Sequence, residues 1–128
     1  MTSTSEFGYL PKYDGNSVAS GLIIQKANVS QATSINTAVV ANGSAGIITT
    51  QAASTAANGE DTFTLTNSAI KAESVVLAQV VDYAGTFSTN GLPSVAVDTI
   101  ADGSCEIVIL NPSTAALSGV IKIAFQVL

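Results

Sequence analysis

The sequence lacks histidine, arginine and tryptophan, and it has a single cysteine and only four lysines in 128 residues. Without histidine there is no imidazole base for a Ser-His-Asp or Cys-His nucleophile, and the usual nitrogen ligand of zinc and copper is missing. Four lysines against nine carboxylates leave a net charge of -5, so a nucleic-acid backbone would meet little positive charge. These absences exclude most hydrolase and metalloenzyme designs. We expect no cofactor and no nucleic-acid partner.

The hydrophobic pattern predicts neither a membrane segment nor a secretion signal. The longest apolar stretch, Val75 to Val81, is interrupted by Gln79 and falls well short of the roughly 20 residues that a membrane-spanning helix needs. Residues 1–14 have neither the basic start nor the apolar stretch of a signal peptide. We therefore expect a protein that is made in the cytoplasm and has no membrane partner.

The first twenty residues predict an N-terminal arm. Residues 1–20 are polar and irregular, with four apolar side chains spaced along them: Phe7, Tyr9, Leu10 and Tyr13. Two interpretations are open, a disordered terminus or an extended segment that becomes ordered against a neighbouring subunit. The aromatic residues favour the second interpretation, in which these four side chains form an interaction site.

The remainder of the chain has the pattern of an all-β domain. Short runs rich in Val, Ile and Thr are separated by clusters of Gly, Asn, Asp and Pro. In one run Phe63 and Leu65 alternate with threonines, so one face of the strand would be buried. The pattern predicts one antiparallel two-sheet β-sandwich or jelly-roll-like domain over residues 21–128. Eight strands are predicted: Gly21–Lys26, Thr37–Ala41, Ala45–Thr50, Thr62–Asn67, Ser74–Tyr83, Ser94–Ile100, Cys105–Leu110 and Gly119–Leu128.

Two turns can be predicted from residue chemistry. Asp102-Gly103 is typical of a hairpin turn, because glycine accepts a positive φ that other residues avoid. Pro112 cannot donate a backbone hydrogen bond to a sheet and should end the strand before it. After it, Ala115–Leu117 is predicted to form one helical turn.

Two residue patterns that could carry nucleophilic chemistry are explained better without it. Cys105 cannot close an intramolecular disulfide and lies in an alternating apolar run, which predicts a buried core position. Ser68-Ala69-Ile70-Lys71 matches the Ser-x-x-Lys string of β-lactamase-type acyltransferases. That chemistry needs a helix and partner motifs, and here the string follows a predicted strand. We interpret it as a chance match.

The carboxylates allow two further hypotheses. The segment from Asp98 to Gly103 is no EF-hand loop, because the bidentate carboxylate would fall at Ile109. A looser calcium site, built from oxygens of Glu60, Asp61, Asp82 or Asp98, would leave little trace in the sequence and stays open. The same acids could form a glycosidase pair, although such enzymes usually surround their acids with aromatic platforms that this chain lacks.

Four segments carry a resemblance to a known class of protein: Gln31–Val40, Gly46–Thr50, Phe63–Ile70 and Ile121–Val127. Over residues of about 28 to 128 the chain resembles small, β-rich virion proteins of tailed bacteriophages. The resemblance implies a non-enzymatic particle component, a capsid decoration (cement) or head-fibre protein, typically oligomeric. It brings no catalytic residues with it.

The leading functional hypothesis is a decoration protein, a homotrimer on the capsid surface of the virion, bound to the major capsid protein and stabilising the shell. A chain this apolar and this poor in charge would expose large uncharged patches as a monomer, and such patches usually mark subunit interfaces. The alternative is a tail or fibre module that binds host surface glycans through hydroxyl and amide groups. A hydrolase using Glu60 or Asp61 is the third and weakest hypothesis.

Overall fold

The computed structural model describes residues 26–128. The predicted arm, with Phe7, Tyr9, Leu10 and Tyr13, lies outside the described residues. So does most of the predicted first strand. The described chain forms eight strands and one short helix: β1 (Ala27–Ser30), β2 (Val39–Val40), β3 (Ala45–Thr49), β4 (Glu60–Thr66), β5 (Val76–Tyr83), α1 (Phe87–Asn90), β6 (Ser94–Ala101), β7 (Ser104–Leu110) and β8 (Ile121–Val127).

The strands form two mixed sheets of four strands each. The first sheet has the order β1-β3-β8-β5 and the second the order β2-β4-β7-β6. The all-β prediction is confirmed, but the prediction of purely antiparallel sheets is wrong for two pairs. Strand β1 runs parallel to β3, and β2 runs parallel to β4. Between the partners of each parallel pair the chain passes through a strand of the other sheet, so it returns to the sheet it left in its original direction. A tight hairpin could not make that connection.

One cluster of buried apolar side chains contains residues from both sheets. Ile48 and Ile123 in the first sheet and Phe63 and Ile107 in the second are each at most 1% exposed. These residues occupy alternate positions of their strands, as expected for strands with one buried face. Cys105, at 1% exposure, belongs to the same cluster, which confirms its predicted core position.

Most predicted strands coincide with strands of the structure, and the differences are local. Lys26 lies outside any strand, and the unpredicted strand Ala27–Ser30 follows it. The predicted helical turn at Ala115–Leu117 is wrong, because that segment is irregular and Phe87–Asn90 forms the helix. The hairpin at Asp102-Gly103 is confirmed: the strands on either side pair with each other, and Gly103 has φ +87°.

Buried side-chain amides hold the loops between strands. Gln31, Asn67 and Asn111 are at most 2% exposed. The Gln31 amide donates to the carbonyl oxygen of Ile35 at 2.9 Å, which holds the turn before β2. The Asn67 side chain donates to the Gly43 carbonyl at 2.7 Å and accepts from the Gly43 N–H at 3.2 Å. Because these amides replace backbone partners, irregular segments can be buried without unpaired polar groups.

Candidate functional site

The carboxylates of the calcium hypothesis are divided between the two sheets. Glu60 and Asp61 begin β4, whereas Asp82 lies near the end of β5 in the other sheet. Asp61 accepts hydrogen bonds from the Thr55 hydroxyl at 2.7 Å and the Asn36 amide at 3.2 Å. Over residues 26–128, no group of three or more Asp, Glu, Cys or His side chains is close enough to hold a metal ion. Asp61 therefore acts as a local anchor for two loops.

Asp98 lies directly opposite Glu106 on the neighbouring strand β7. The Thr64 hydroxyl donates to the Glu106 carboxylate at 3.0 Å, and Asp98 accepts from the N–H of the next residue, Thr99, at 2.8 Å. Like charges directly opposite each other on a sheet are destabilising. This pair makes the outer face of the second sheet the more acidic one.

The two nucleophile patterns have local structural roles. Ser68 and Lys71 lie in an exposed turn, where the Ser68 N–H donates to the side-chain oxygen of Asn42 at 2.9 Å. The helix that a Ser-x-x-Lys site requires is absent from this segment. Burial, and to a smaller extent the neighbouring carboxylate of Glu106, raises the pKa of the Cys105 thiol to about 11. The thiol is therefore protonated at neutral pH and enclosed, which makes it a poor nucleophile.

The most unusual surface lies along β5. Three large aliphatic side chains there, Val75, Leu77 and Val81, are 52–53% exposed. Beside them a shallow groove on the outer face of the first sheet is lined by Ala45, Leu77 and Ala124 and by further residues of β5 and β8. Exposed apolar patches usually mark an interaction site.

Strands β5 and β6 lie next to each other although they belong to different sheets, and among the strands of residues 26–128 each is the last of its sheet. Their core-facing side chains are only partly buried: Ala78 and Val80 on β5, and Val95 and Val97 on β6. A second groove between the two strands is lined by Ala78, Val80 and Val95 and by residues next to them in the sequence. We call this side, formed by β5 and β6, the open edge.

A separate groove lies between α1 and the loop after β7. Phe87 on α1 is 68% exposed and lines it together with Ser113 and Thr114. The Ser113 hydroxyl accepts a hydrogen bond from the Leu92 N–H at 3.1 Å, which ties the loop after α1 to the loop after β7. The groove combines one exposed aromatic ring with several hydroxyl groups.

Comparison with protein-family models, curated proteins and solved structures finds no significant match. In the described residues, no helix is long and apolar enough to cross a membrane.

The residue pattern predicts the strand β5 of the open edge but not the position of β5 in its sheet. The pattern predicts a strand over Ser74–Tyr83, and the structure confirms a strand there, at Val76–Tyr83. That β5 is an edge strand follows from the strand order, which the local pattern does not contain. No pattern in the sequence indicates that Phe87 is exposed, since a single aromatic residue in a polar segment is equally compatible with burial.

Proposed function

We propose that the protein is a non-enzymatic structural protein of a bacteriophage virion, an oligomeric capsid decoration protein. In this proposal it binds the outer surface of the major capsid protein shell and stabilises it. The observation that carries the proposal is the open edge, where uncharged aliphatic side chains and a strand edge face solvent. The resemblance of residues 28 to 128 to small virion proteins supports the same role.

The finer architecture belongs to this proposal. We infer that the two sheets pack face to face as a β-sandwich of the jelly-roll type. In support, residues of both sheets share one buried cluster, and consecutive strands from β1 to β5 alternate between the sheets. A sandwich of this kind leaves its edge strands available for contacts with coat subunits or with other copies.

The small number of charged groups limits the kinds of interaction that such contacts can use. Only 10% of the residues are charged, and no charged residue lies between Ser74 and Val81. Attachment to a capsid through this region would depend on apolar contact and backbone hydrogen bonds, which salt screens little. Binding should therefore change little between low and high salt.

Labelling of intact particles tests the proposal. Antibodies against the full-length protein are applied to purified virions of the phage that encodes it and imaged by electron microscopy. We expect dense label over the capsid faces, and shells stripped of the protein should disassemble at a lower temperature than shells to which it is added back. Absence of the protein from purified particles would overturn the virion role. Label at the tail tip would overturn the capsid location.

The groove at Phe87 favours a second candidate function, a tail or fibre module that binds host surface glycans. An exposed ring can stack on a sugar face while the Ser113 and Thr114 hydroxyl groups donate and accept hydrogen bonds. In this case Phe87→Ala should abolish binding to host surface glycans. The matched control Leu92→Ala, at an exposed apolar residue of the loop after α1 that does not line the groove, should leave binding unchanged. Equal loss in both variants, or no binding by the unmodified protein, would remove this candidate.

A further inference from the structure

The hydrogen-bond pattern of β5 shows which backbone groups face the open edge. Val75 and Leu128 exchange two backbone hydrogen bonds, N–H to carbonyl in each direction, at 3.2 and 2.8 Å. In an antiparallel ladder such bonded pairs alternate with pairs whose backbone groups point away from the partner. With Val76 opposite Val127 in the register, the N–H and C=O groups of Val76, Ala78 and Val80 point away from β8. In the described part of the chain, β8 is the only hydrogen-bonded neighbour of β5.

The part of β5 from Val76 to Val80 lacks the usual protection against pairing with another strand. Natural edge strands are blunted by charged side chains, proline or bulges. Strand β6 has such features: Pro93 precedes it, Asp98 lies within it, and a register shift follows Asp98. In β5, by contrast, the residues from Val76 to Val80 contain no charge, no proline and no bulge, and the irregularity begins only after Val80.

The sequence of β5 is complementary to itself in one antiparallel register. With Ala78 opposite Ala78 of a second copy, Val76 faces Val80 and Leu77 faces Gln79. The exposed Val75 and Val81 then lie opposite each other, and Asp82 falls beyond the paired segment, opposite Ser74. A shift of the centre to Gln79 would place the Asp82 carboxylate against Val76. It would also move the irregularity at Val81 from the end of the paired segment into its interior. The centre at Ala78 is therefore the favoured register.

We propose that two copies of this protein associate by antiparallel pairing of β5 with β5 of the second copy, centred on Ala78. The pairing joins the first sheet of one copy to the first sheet of the other, and it places the two open edges side by side. It supplies a contact for the oligomer in the proposed function, but it does not require binding to a capsid. Because the pairing is two-fold, it predicts a dimer in place of the homotrimer of the leading functional hypothesis.

The size of the contact is adequate for a modest dimer. Seven residues of extended chain span about 24 Å. Two strands about 10 Å apart, with their side chains, give a strip about 20 Å wide, or roughly 500 Å² on each copy. The total of about 1,000 Å² lies at the lower limit for a specific interface. We therefore expect a dimer that dissociates within the micromolar range.

Cysteine cross-linking tests the register directly. Leu77 and Gln79 of the second copy form a non-hydrogen-bonded pair, whose Cα atoms should lie about 4.5 Å apart, within disulfide range. A mixture of full-length Leu77→Cys and Gln79→Cys proteins should give a cross-linked dimer under mild oxidation. The matched control mixture, Leu77→Cys with Val81→Cys, should give none. Cross-linking of Gln79→Cys alone would show the register centred on Gln79 and would overturn the Ala78 register.

The second test measures mass and uses Ala78→Pro. The Ala78 N–H takes no part in the β5–β8 ladder, so proline should be tolerated in the single copy but should block pairing. Light scattering should give twice the 12.9 kDa chain mass for the unmodified protein and a single chain mass for the variant. An unchanged urea midpoint measured at submicromolar concentration checks that the variant is folded. A monomer at every concentration, or a trimer, would overturn the dimer without affecting the particle-labelling result.

Discussion

Replacement of Asn111 offers the sharpest test of how the irregular loops are held. Asn111 is 1% exposed and follows β7. Its amide nitrogen donates to the carbonyl oxygens of Thr55 and Ala56, both at 3.1 Å, and of Ala115 at 2.8 Å. Its side-chain oxygen accepts from the Ser113 N–H at 3.1 Å. One side chain thus connects two loops that are more than fifty residues apart in the sequence.

The expected cost follows from the groups left without partners. The amide nitrogen has two hydrogens, so the three carbonyl oxygens share two donors. Asn111→Ala removes these donors and the acceptor for Ser113. The Thr55 and Ala56 carbonyl oxygens also accept from the N–H groups of Leu117 and Gly59, both at 2.9 Å, so they keep a partner. The Ala115 carbonyl oxygen and the Ser113 N–H lose theirs, and each buried polar group left unpaired costs about 1–3 kcal/mol. We expect a loss of about 2–4 kcal/mol, a large part of the roughly 5–15 kcal/mol that stabilises a typical domain.

Asn111→Asp separates hydrogen bonding from side-chain size. The carboxylate has nearly the same shape but offers no donor, and it would face three carbonyl oxygens at a buried site. Burial and this electrostatic environment would raise the pKa of the new carboxyl in the folded protein. The folded protein would then hold a proton that the unfolded chain releases, so stability falls as pH rises above the unfolded pKa of about 3.9. The free energy of unfolding of the variant, relative to that of the unmodified protein, should be lower at pH 7 than at pH 4.

Urea unfolding, followed by circular dichroism, measures both effects. The control is Asn36→Ala, because Asn36 also donates two hydrogen bonds, to Asp61 and the Thr62 carbonyl, but is exposed. Water can replace those bonds, so the control should lose about 1 kcal/mol or less. If Asn111→Ala and Asn36→Ala lost equal stability, the proposed role of buried amides would be refuted. An Asn111→Asp variant without pH dependence would contradict the electrostatic part.

Two further predictions concern the core. Gly46→Ala would place a Cβ 2.6 Å from the Phe125 ring and 2.8 Å from the Ala27 carbonyl oxygen. We therefore expect the free energy of unfolding, measured in urea, to fall by about 1–3 kcal/mol. An unchanged urea midpoint would contradict this. Burial of Cys105 predicts that stability falls as pH rises from its ordinary thiol pKa of 9.0 to about 11, because the unfolded chain loses the proton first. The loss is on the order of 2–3 kcal/mol. Cys105→Ala should remove this part of the pH dependence, and an equal loss in both proteins would contradict it.

Local residue patterns were sufficient for the strands and turns. Alternation of Phe63 and Leu65 with threonines follows from the two-residue repeat of a strand, which any buried face imposes. The turn at Gly103 could be predicted because it requires a positive φ, which glycine accepts, and that requirement belongs to the turn itself. The weak signal at Ala27–Ser30, where small and polar residues dominate, explains why that strand was missed.

The amino-acid sequence by itself determined the all-β class, the buried thiol and the poverty of charge, because each depends on composition or on neighbours along the chain. Only the tertiary structure decided that two pairs of strands are parallel, that β5 lies at an edge and that carboxylates such as Asp61 and Asp82 are separated. These features depend on the order in which the chain places its strands in the two sheets. Strand order is set by the packing of distant residues into one core, and no local repeat encodes it.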